Sequence, residues 1–111
     1  MEFEMIIMNL LNYSGEARSS SMEAIQHAKA GELDKAKKSI EEAEQKISLA
    51  HKFQTSLIHS EAQGDRTNIS LLLIHAQDHL MNAITVKDMA TEFIELYSRM
   101  SEMTNGGYKD A

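Results

Sequence analysis

Apolar residues recur at steps of three and four positions along most of this chain, and two glycine-containing breaks divide the pattern into three long segments. This spacing places the apolar residues on one side of an α-helix, and no proline interrupts it. The commonest residue types are mostly good helix formers. The sequence therefore predicts an all-α protein that forms a single domain over residues 1–111.

The helix boundaries follow from where the periodic pattern stops. The first helix is predicted from Glu2 or Phe3 to Ala30, the second from about Asp34 (or a residue or two earlier) to about Gln63, and the third from Ile69 or Ser70 to about Met103. Gly31 and Gly64 are the expected stops, and Thr67 or Asn68 is expected to cap the third helix. Residues 104–111 are predicted to be a flexible tail. Short loops between long helices favour an antiparallel, up-down-up three-helix bundle.

The middle of the first helix contains weak helix formers, Gly15 and the run Ser19–Ser21. Two interpretations stay open at this stage. Small residues here could let another helix approach closely, or they could mark a local kink.

Composition excludes several classes of function. The chain has no cysteine, so disulfides, thiolate metal sites and cysteine catalysis are excluded. A net charge of −6 and the lack of any basic run argue against nucleic-acid binding. The first thirteen residues are acidic and their apolar run is broken, so they are neither a signal peptide nor a membrane span. We expect a cytoplasmic protein.

The first half of the third helix has more apolar residues than one bundle face can cover. Leu71, Val86 and Met89 project to one side, while Leu73, Leu80 and Ile84 lie nearly opposite. Two partner helices cover only one broad face, so the other side would remain exposed. Exposed apolar patches usually mark an interface. The sequence therefore predicts a closed homo-oligomer, either a dimer or a trimer.

Polar residues interrupt one of these apolar stripes at a single place. The stripe comprises Val86, Met89, Phe93, Tyr97 and Met100, and it continues upstream into His75, Asp78, His79 and Asn82. Burying polar groups is costly unless each finds a partner, and the pattern suggests that these residues occupy core positions. The cluster is the candidate functional site.

Three interpretations of the cluster compete. The residues could simply pair with one another inside a core. The pattern His-x-x-Asp-His is similar to a zinc-peptidase motif, but no residue on the first two helices is an obvious further ligand. Alternatively, a neutral imidazole is a competent nucleophile near pH 7, so His75 could carry a phosphoryl group. The backbone carbonyl of Leu71 would then hold its other nitrogen, and Gln77 or His79 could donate to the phosphoryl oxygens.

The sequence around the cluster resembles a known family. The segment LLLIHAQDHLMNAITVKDMATEFIELY, Leu71–Tyr97, is similar to the signature region of enzyme IIA of the lactose/cellobiose (N,N′-diacetylchitobiose) class of the bacterial phosphoenolpyruvate:sugar phosphotransferase system. The similarity extends to Glu32–Gly64 and, more loosely, to Ile7–Gly31. It covers essentially the whole chain, and the block HAQDHLM in a helix is specific.

The resemblance implies an assembly and a phosphoryl relay. Members of this family are three-helix bundles that form homotrimers, with the third helices around the threefold axis. The active-site histidine of the family matches His75. By this analogy, His75 accepts a phosphoryl group from phospho-HPr on Nε2 and passes it to a cysteine of the cognate IIB component.

The resemblance also suggests roles for three neighbours of His75. Asp78 matches an aspartate that gathers at the threefold axis and binds a metal ion, and three close carboxylates would favour a hard cation such as Mg²⁺. Gln77 and His79 are expected to support the phosphorylated state. The remaining histidines, His27, His51 and His59, are expected at solvated or half-buried helix surfaces.

Overall fold

The computed structural model of the protein describes residues 3–64 and 69–110, which form a rod of 68 × 19 × 18 Å. Three helices make up this part of the chain: α1 (Phe3–Lys29), α2 (Leu33–Ala62) and α3 (Leu71–Asp110). No strand occurs in the described ranges, which confirms the predicted all-α class. Across those same ranges, no helix has an 18-residue stretch apolar enough to cross a lipid bilayer.

The turn between α1 and α2 is built around Gly31, whose φ of 81° lies in the left-handed region that favours glycine. The Glu32 backbone N–H donates to the His27 carbonyl at 2.9 Å and closes the end of α1. The Glu32 carboxylate accepts a hydrogen bond from Lys35 Nζ at 2.9 Å and lies 3.4 Å from His27 Nδ1. These contacts, Lys35 first, hold the pKa of Glu32 below its usual value. Because α2 already begins at Leu33, Asp34 lies in its first turn and does not cap it.

The start of α3 differs from the prediction. The Ser70 hydroxyl accepts a hydrogen bond from the Leu73 backbone N–H at 3.1 Å, so Ser70 caps the helix and Leu71 is its first residue. The predicted capping residues, Thr67 and Asn68, lie outside the described residues.

The predicted end of α3 near Met103 is wrong, because the helix continues to Asp110. Thr104 Oγ1 donates to the Met100 carbonyl at 2.9 Å, a contact within a continuing helix. Glycine in a helix costs only about 1 kcal/mol, so the pair Gly106–Gly107 weakens the helix without stopping it. The flexibility of residues 104–111 and the single-domain organisation stay predictions.

Alanines at seven-residue spacing form the centre of the bundle on all three helices. They are Ala17 and Ala24 on α1, Ala36, Ala43 and Ala50 on α2, and Ala76, Ala83 and Ala90 on α3, all fully buried. Small side chains at this spacing allow neighbouring helices to pack closely along a narrow seam. Larger apolar residues such as Leu10 and Leu80 fill the core at the end of the rod where α3 begins. α3 packs more extensively against α1 than against α2.

The weak helix formers in α1 do not interrupt it, since α1 is continuous from Phe3 to Lys29. The close packing involves Ser14, Ala17 and Ser21, all fully buried, whereas a side chain added at Gly15 would meet nothing within 4 Å. Ser21 Oγ donates to the Ala17 carbonyl at 2.8 Å. The Ser14 hydroxyl has no hydrogen-bond partner among the described residues.

This contrast gives a matched pair of variants. We expect Ser14→Ala to leave the free energy of unfolding unchanged or to raise it by about 1 kcal/mol, because it removes an unpaired buried hydroxyl. We expect Ser21→Ala to lower the free energy of unfolding by about 0.5–1 kcal/mol, because the substitution deletes the hydrogen bond that the equally buried Ser21 hydroxyl donates to Ala17. Urea unfolding measures both. A loss of more than about 1 kcal/mol for Ser14→Ala would mean that its hydroxyl binds a partner, such as a buried water.

Candidate functional site

α3 packs against the bundle with one side and leaves the other side open. Its packed side carries Leu80, Ala83 and Ile94, all buried. The opposite side, here named the uncovered face, presents eight exposed apolar residues, from Phe93 at 39% exposure to Leu71 at 83%. They are Leu71, Ile74, Met81, Met89, Phe93, Leu96, Met100 and Met103. The predicted surplus of apolar surface on this helix is therefore present in the single chain.

The polar cluster lies on the uncovered face. His75, Asp78 and Asn82 are exposed and follow one another at steps of three and four residues, and His79 is half-buried at the edge of the face. The interpretation that these residues occupy core positions is therefore wrong for the single chain. Both sides of this helix are apolar, so the sequence period alone does not distinguish the packed side from the open one.

The rings of His75 and His79 contact each other one helical turn apart. Their centroids are 4.5 Å apart, and the ring planes are nearly perpendicular at 79°. The expected hydrogen bond from the His75 ring to the Leu71 carbonyl is not observed. That carbonyl already faces the backbone N–H of His75 in the regular helix. The His75 ring is thus steadied by an edge-to-face contact and is open to an incoming partner.

A shallow depression of about 490 Å³ borders the His75 ring. It is lined by Leu71, Ile74, His75, Gln77, Asp78 and Met81, so apolar side chains surround one imidazole and one carboxylate. It is separate from a second hollow of about 570 Å³ between α2 and α3, which is lined by Ile40 and Ile94 among others and contains no histidine.

Gln77 is tied to α2 by a short hydrogen bond. Gln54 Nε2 donates to Gln77 Oε1 at 2.7 Å, and the pair is partly buried. Gln54 Oε1 in turn lies 3.2 Å from His51 Nδ1. Sequence reasoning missed Gln54 as a site residue. The sequence does contain a signal for it, because Gln54 is a single polar residue between Ala50 and Leu57 in the series of apolar residues that α2 buries.

The single chain offers no complete metal site in its described part. No group of three His, Asp or Glu residues there is arranged to hold a metal ion. Asp78 forms no ion pair with any described residue. A metal at Asp78 would therefore need ligands from further copies of the chain.

The other histidines lie away from the uncovered face. His27 contacts Glu32 at the α1–α2 turn, His51 contacts Gln54, and His59 is exposed near the end of α2. The first is half-buried and the second is exposed, as expected for helix-surface positions.

Comparison with known proteins gives a consistent match over most of the chain. The family model described as "PTS system, Lactose/Cellobiose specific IIA subunit" matches residues 5–98. The lichenan-specific phosphotransferase enzyme IIA component of Bacillus subtilis is 52% identical over 101 residues, covering 91% of this chain and 92% of that protein.

Two solved structures have the same fold. The cellobiose-specific enzyme IIA from Bacillus anthracis superposes with a TM-score of 0.89 at 53% identity, over 92% of this chain and 94% of that one. The IIA(Chitobiose) protein, solved in complex with HPr from the N,N′-diacetylchitobiose branch of the Escherichia coli phosphotransferase system, gives a TM-score of 0.80 at 36% identity. That match covers 91% of this chain and 98% of the other.

Proposed function

Because this chain belongs to the lactose/cellobiose-specific IIA family of the phosphotransferase system, we propose that His75 accepts a phosphoryl group from phospho-HPr and passes it to a cysteine of a IIB component. Membership of this family supports a general role in phosphoryl transfer during sugar uptake. The proposal adds the residue, the donor and the acceptor. It places the protein in the cytoplasm and leaves the sugar to other components, since by the family analogy IIC moves the sugar across the membrane and IIB phosphorylates it.

One observation carries the assignment to His75. Its ring is exposed and lies toward the edge of the uncovered face, next to His79, so another protein can bring a reactive side chain to it. The solved complex of a IIA relative with HPr supports HPr as that protein. The contact with His79 leaves this access open.

The transfer balances without a proton moving between the two proteins. The lone pair on His75 Nε2 attacks phosphorus, an N–P bond forms on His75, and the bond that joins phosphorus to HPr breaks. The His75 ring keeps the proton on Nδ1 throughout. A cysteine thiolate of IIB then attacks the same phosphorus, an S–P bond forms while the N–P bond on His75 breaks, and His75 leaves as a neutral imidazole. Because IIB and IIC handle the sugar, this chemistry is the same for lactose, cellobiose and diacetylchitobiose.

We further propose that three chains assemble through the uncovered faces of α3 and that the three Asp78 carboxylates meet at the axis. His75 projects about 60° around the helix from Asp78, so in this arrangement it lies at the edge of the contact between chains and stays accessible to HPr. The donors present fit a hard cation: Asp78 is exposed, carries oxygen ligands and has no ion pair among the described residues. Mg²⁺ bound by Asp78 of each chain would offset the repulsion between three like charges. The proposed role of this ion is structural.

The Asp78 proposal predicts a change in metal dependence. Wild-type trimer should weaken when EDTA removes Mg²⁺, whereas Asp78→Leu should remain trimeric with or without EDTA, because it removes the repulsion that the ion offsets. Sedimentation velocity measures both. Asp34→Leu, at an exposed carboxylate in the first turn of α2, is the control and should show the metal dependence of the wild type. A monomeric Asp78→Leu chain would contradict the proposal.

The proposed function is tested by incubating the chain with phosphoenolpyruvate, enzyme I and HPr. We expect an adduct that is labile in acid and stable in base, the behaviour of a phosphorylated histidine. Addition of the cognate IIB should discharge it. The absence of any adduct would overturn the proposal and leave a metal-binding or adaptor bundle without phosphoryl chemistry.

A further inference from the structure

The C-terminal end of α3 continues past the apolar core of the bundle. α3 has 40 residues, whereas α1 has 27 and α2 has 30. Among the described residues, Tyr97 is the last residue of α3 in the apolar core, where it packs against the same cluster as Leu33, the first residue of α2. Residues 98–110, here named the C-terminal extension, therefore add about 20 Å of helix beyond that core.

The uncovered face continues onto the C-terminal extension. Met100 is 50% exposed and Met103 is 75% exposed. They follow Met89 and Leu96 along α3, and at 100° per residue all four side chains project within about 60° of one another. The apolar surface that the single chain leaves open thus runs without a break past the end of the core.

The C-terminal extension has little to stabilise it within one chain. Its side-chain hydrogen bonds lie within its own helix: Arg99 Nη2 donates to Glu95 Oε1 at 3.0 Å, and Thr104 Oγ1 donates to the Met100 carbonyl at 2.9 Å. A helix of this length that does not pack against other elements is marginal in water, and the pair Gly106–Gly107 lowers its helix propensity further. A helix here therefore needs a partner from outside the single chain.

We propose that this partner is the same segment of two further copies of the chain, so that three C-terminal extensions pack in parallel through Met100 and Met103. The inference rests on the proposed trimer. Because the proposed axis runs along α3, threefold rotation brings identical residues of the three chains together with their helices running in one direction. Methionine side chains are flexible enough to fill such a contact.

The C-terminal extension lies outside the part of the chain that the family model matches, which ends at residue 98. Its role is therefore a property of this chain's own residues. In the assembly the C-terminal extension is helical and prolongs the contact between the uncovered faces, whereas in a separated chain it loses its helix while the rest of the bundle persists.

Backbone amide hydrogen exchange tests the link between the helix and the assembly. The comparison is between wild-type chain and Met89→Glu, a substitution on the uncovered face that is expected to give monomers. We expect the amides of residues 102–107 to exchange at least about tenfold more slowly in the wild-type trimer than in Met89→Glu. The amides of the buried residues Ala17 and Ala43 should stay protected in both.

Two substitutions within the C-terminal extension separate its apolar side from its opposite side. Met103→Glu places a charge among the three helices, whereas Ser101→Glu places the same charge at an exposed residue that projects about 160° away. We expect the dissociation constant of the trimer to rise at least about tenfold in Met103→Glu and to stay within about twofold of wild type in Ser101→Glu. Sedimentation equilibrium measures both.

Each outcome bears on a separate proposal. Equal exchange of residues 102–107 in wild-type trimer and in Met89→Glu monomer, or equal dissociation constants for Met103→Glu and Ser101→Glu, overturns this inference alone. A monomeric wild type, or a trimeric Met89→Glu chain, overturns the proposed assembly and this inference together. A chain that is trimeric and protected at residues 102–107 supports this inference whether or not His75 is phosphorylated.

Discussion

His75→Ala is expected to abolish phosphorylation of the chain by phosphoenolpyruvate, enzyme I and HPr. The substitution removes the only nitrogen that the proposal allows to bond to phosphorus, so a partial loss is not expected. Labelling with ³²P-phosphoenolpyruvate measures the result. Because His75 is exposed, the variant should fold with a free energy of unfolding within about 0.5 kcal/mol of wild type, which circular dichroism with urea unfolding checks.

His79→Ala is the matched variant for that experiment. It removes an imidazole of the same chemistry one helical turn away, whose ring contacts that of His75 at a centroid distance of 4.5 Å. We expect it to retain labelling, with a transfer rate lowered by about tenfold, since it removes a supporting contact and leaves the nucleophile in place. If His79→Ala abolishes labelling and His75→Ala retains it, the nucleophile is His79.

The helices were predictable because their signals are local. A period of three and four residues identifies each helix, and Gly31 and Gly64 stop the first two because both adopt positive φ values, 81° and 96°. The end of α3 was not predictable in the same way. A glycine that ends a helix and a glycine that a helix tolerates differ in their surroundings, and the sequence pattern does not contain that information.

The sequence likewise predicts some features of the candidate site and not others. The proximity of His75, Asp78 and His79 follows from helical spacing, so the sequence predicts it. The exposure of these residues depends on which side of α3 packs against α1, and both sides are apolar. The contact between Gln54 and Gln77 depends on the register between two helices, which no local pattern specifies.

Charge placed on the uncovered face should dissociate the proposed trimer. Met89 is 53% exposed in the single chain and lies on that face, seven residues (about two helical turns) after Asn82. In a trimer, Met89→Glu would bring three carboxylates into an apolar interface around the axis. Removing a charge from water costs several kcal/mol per ion unless it is paired, so we expect a monomer at micromolar concentration. Sedimentation equilibrium measures the mass.

Ile58→Glu provides the control because it makes the same change in charge at a residue of similar exposure, 58%, on α2. The free energy of unfolding of the single chain should change little in either variant, since both side chains already face solvent. Only Met89→Glu should lose the trimer. A trimeric Met89→Glu chain, or a monomeric Ile58→Glu chain, would mean that the subunits meet through a different surface. Mg²⁺ dependence should disappear together with the trimer, because a single Asp78 carboxylate has no like-charged neighbour whose repulsion the ion must offset.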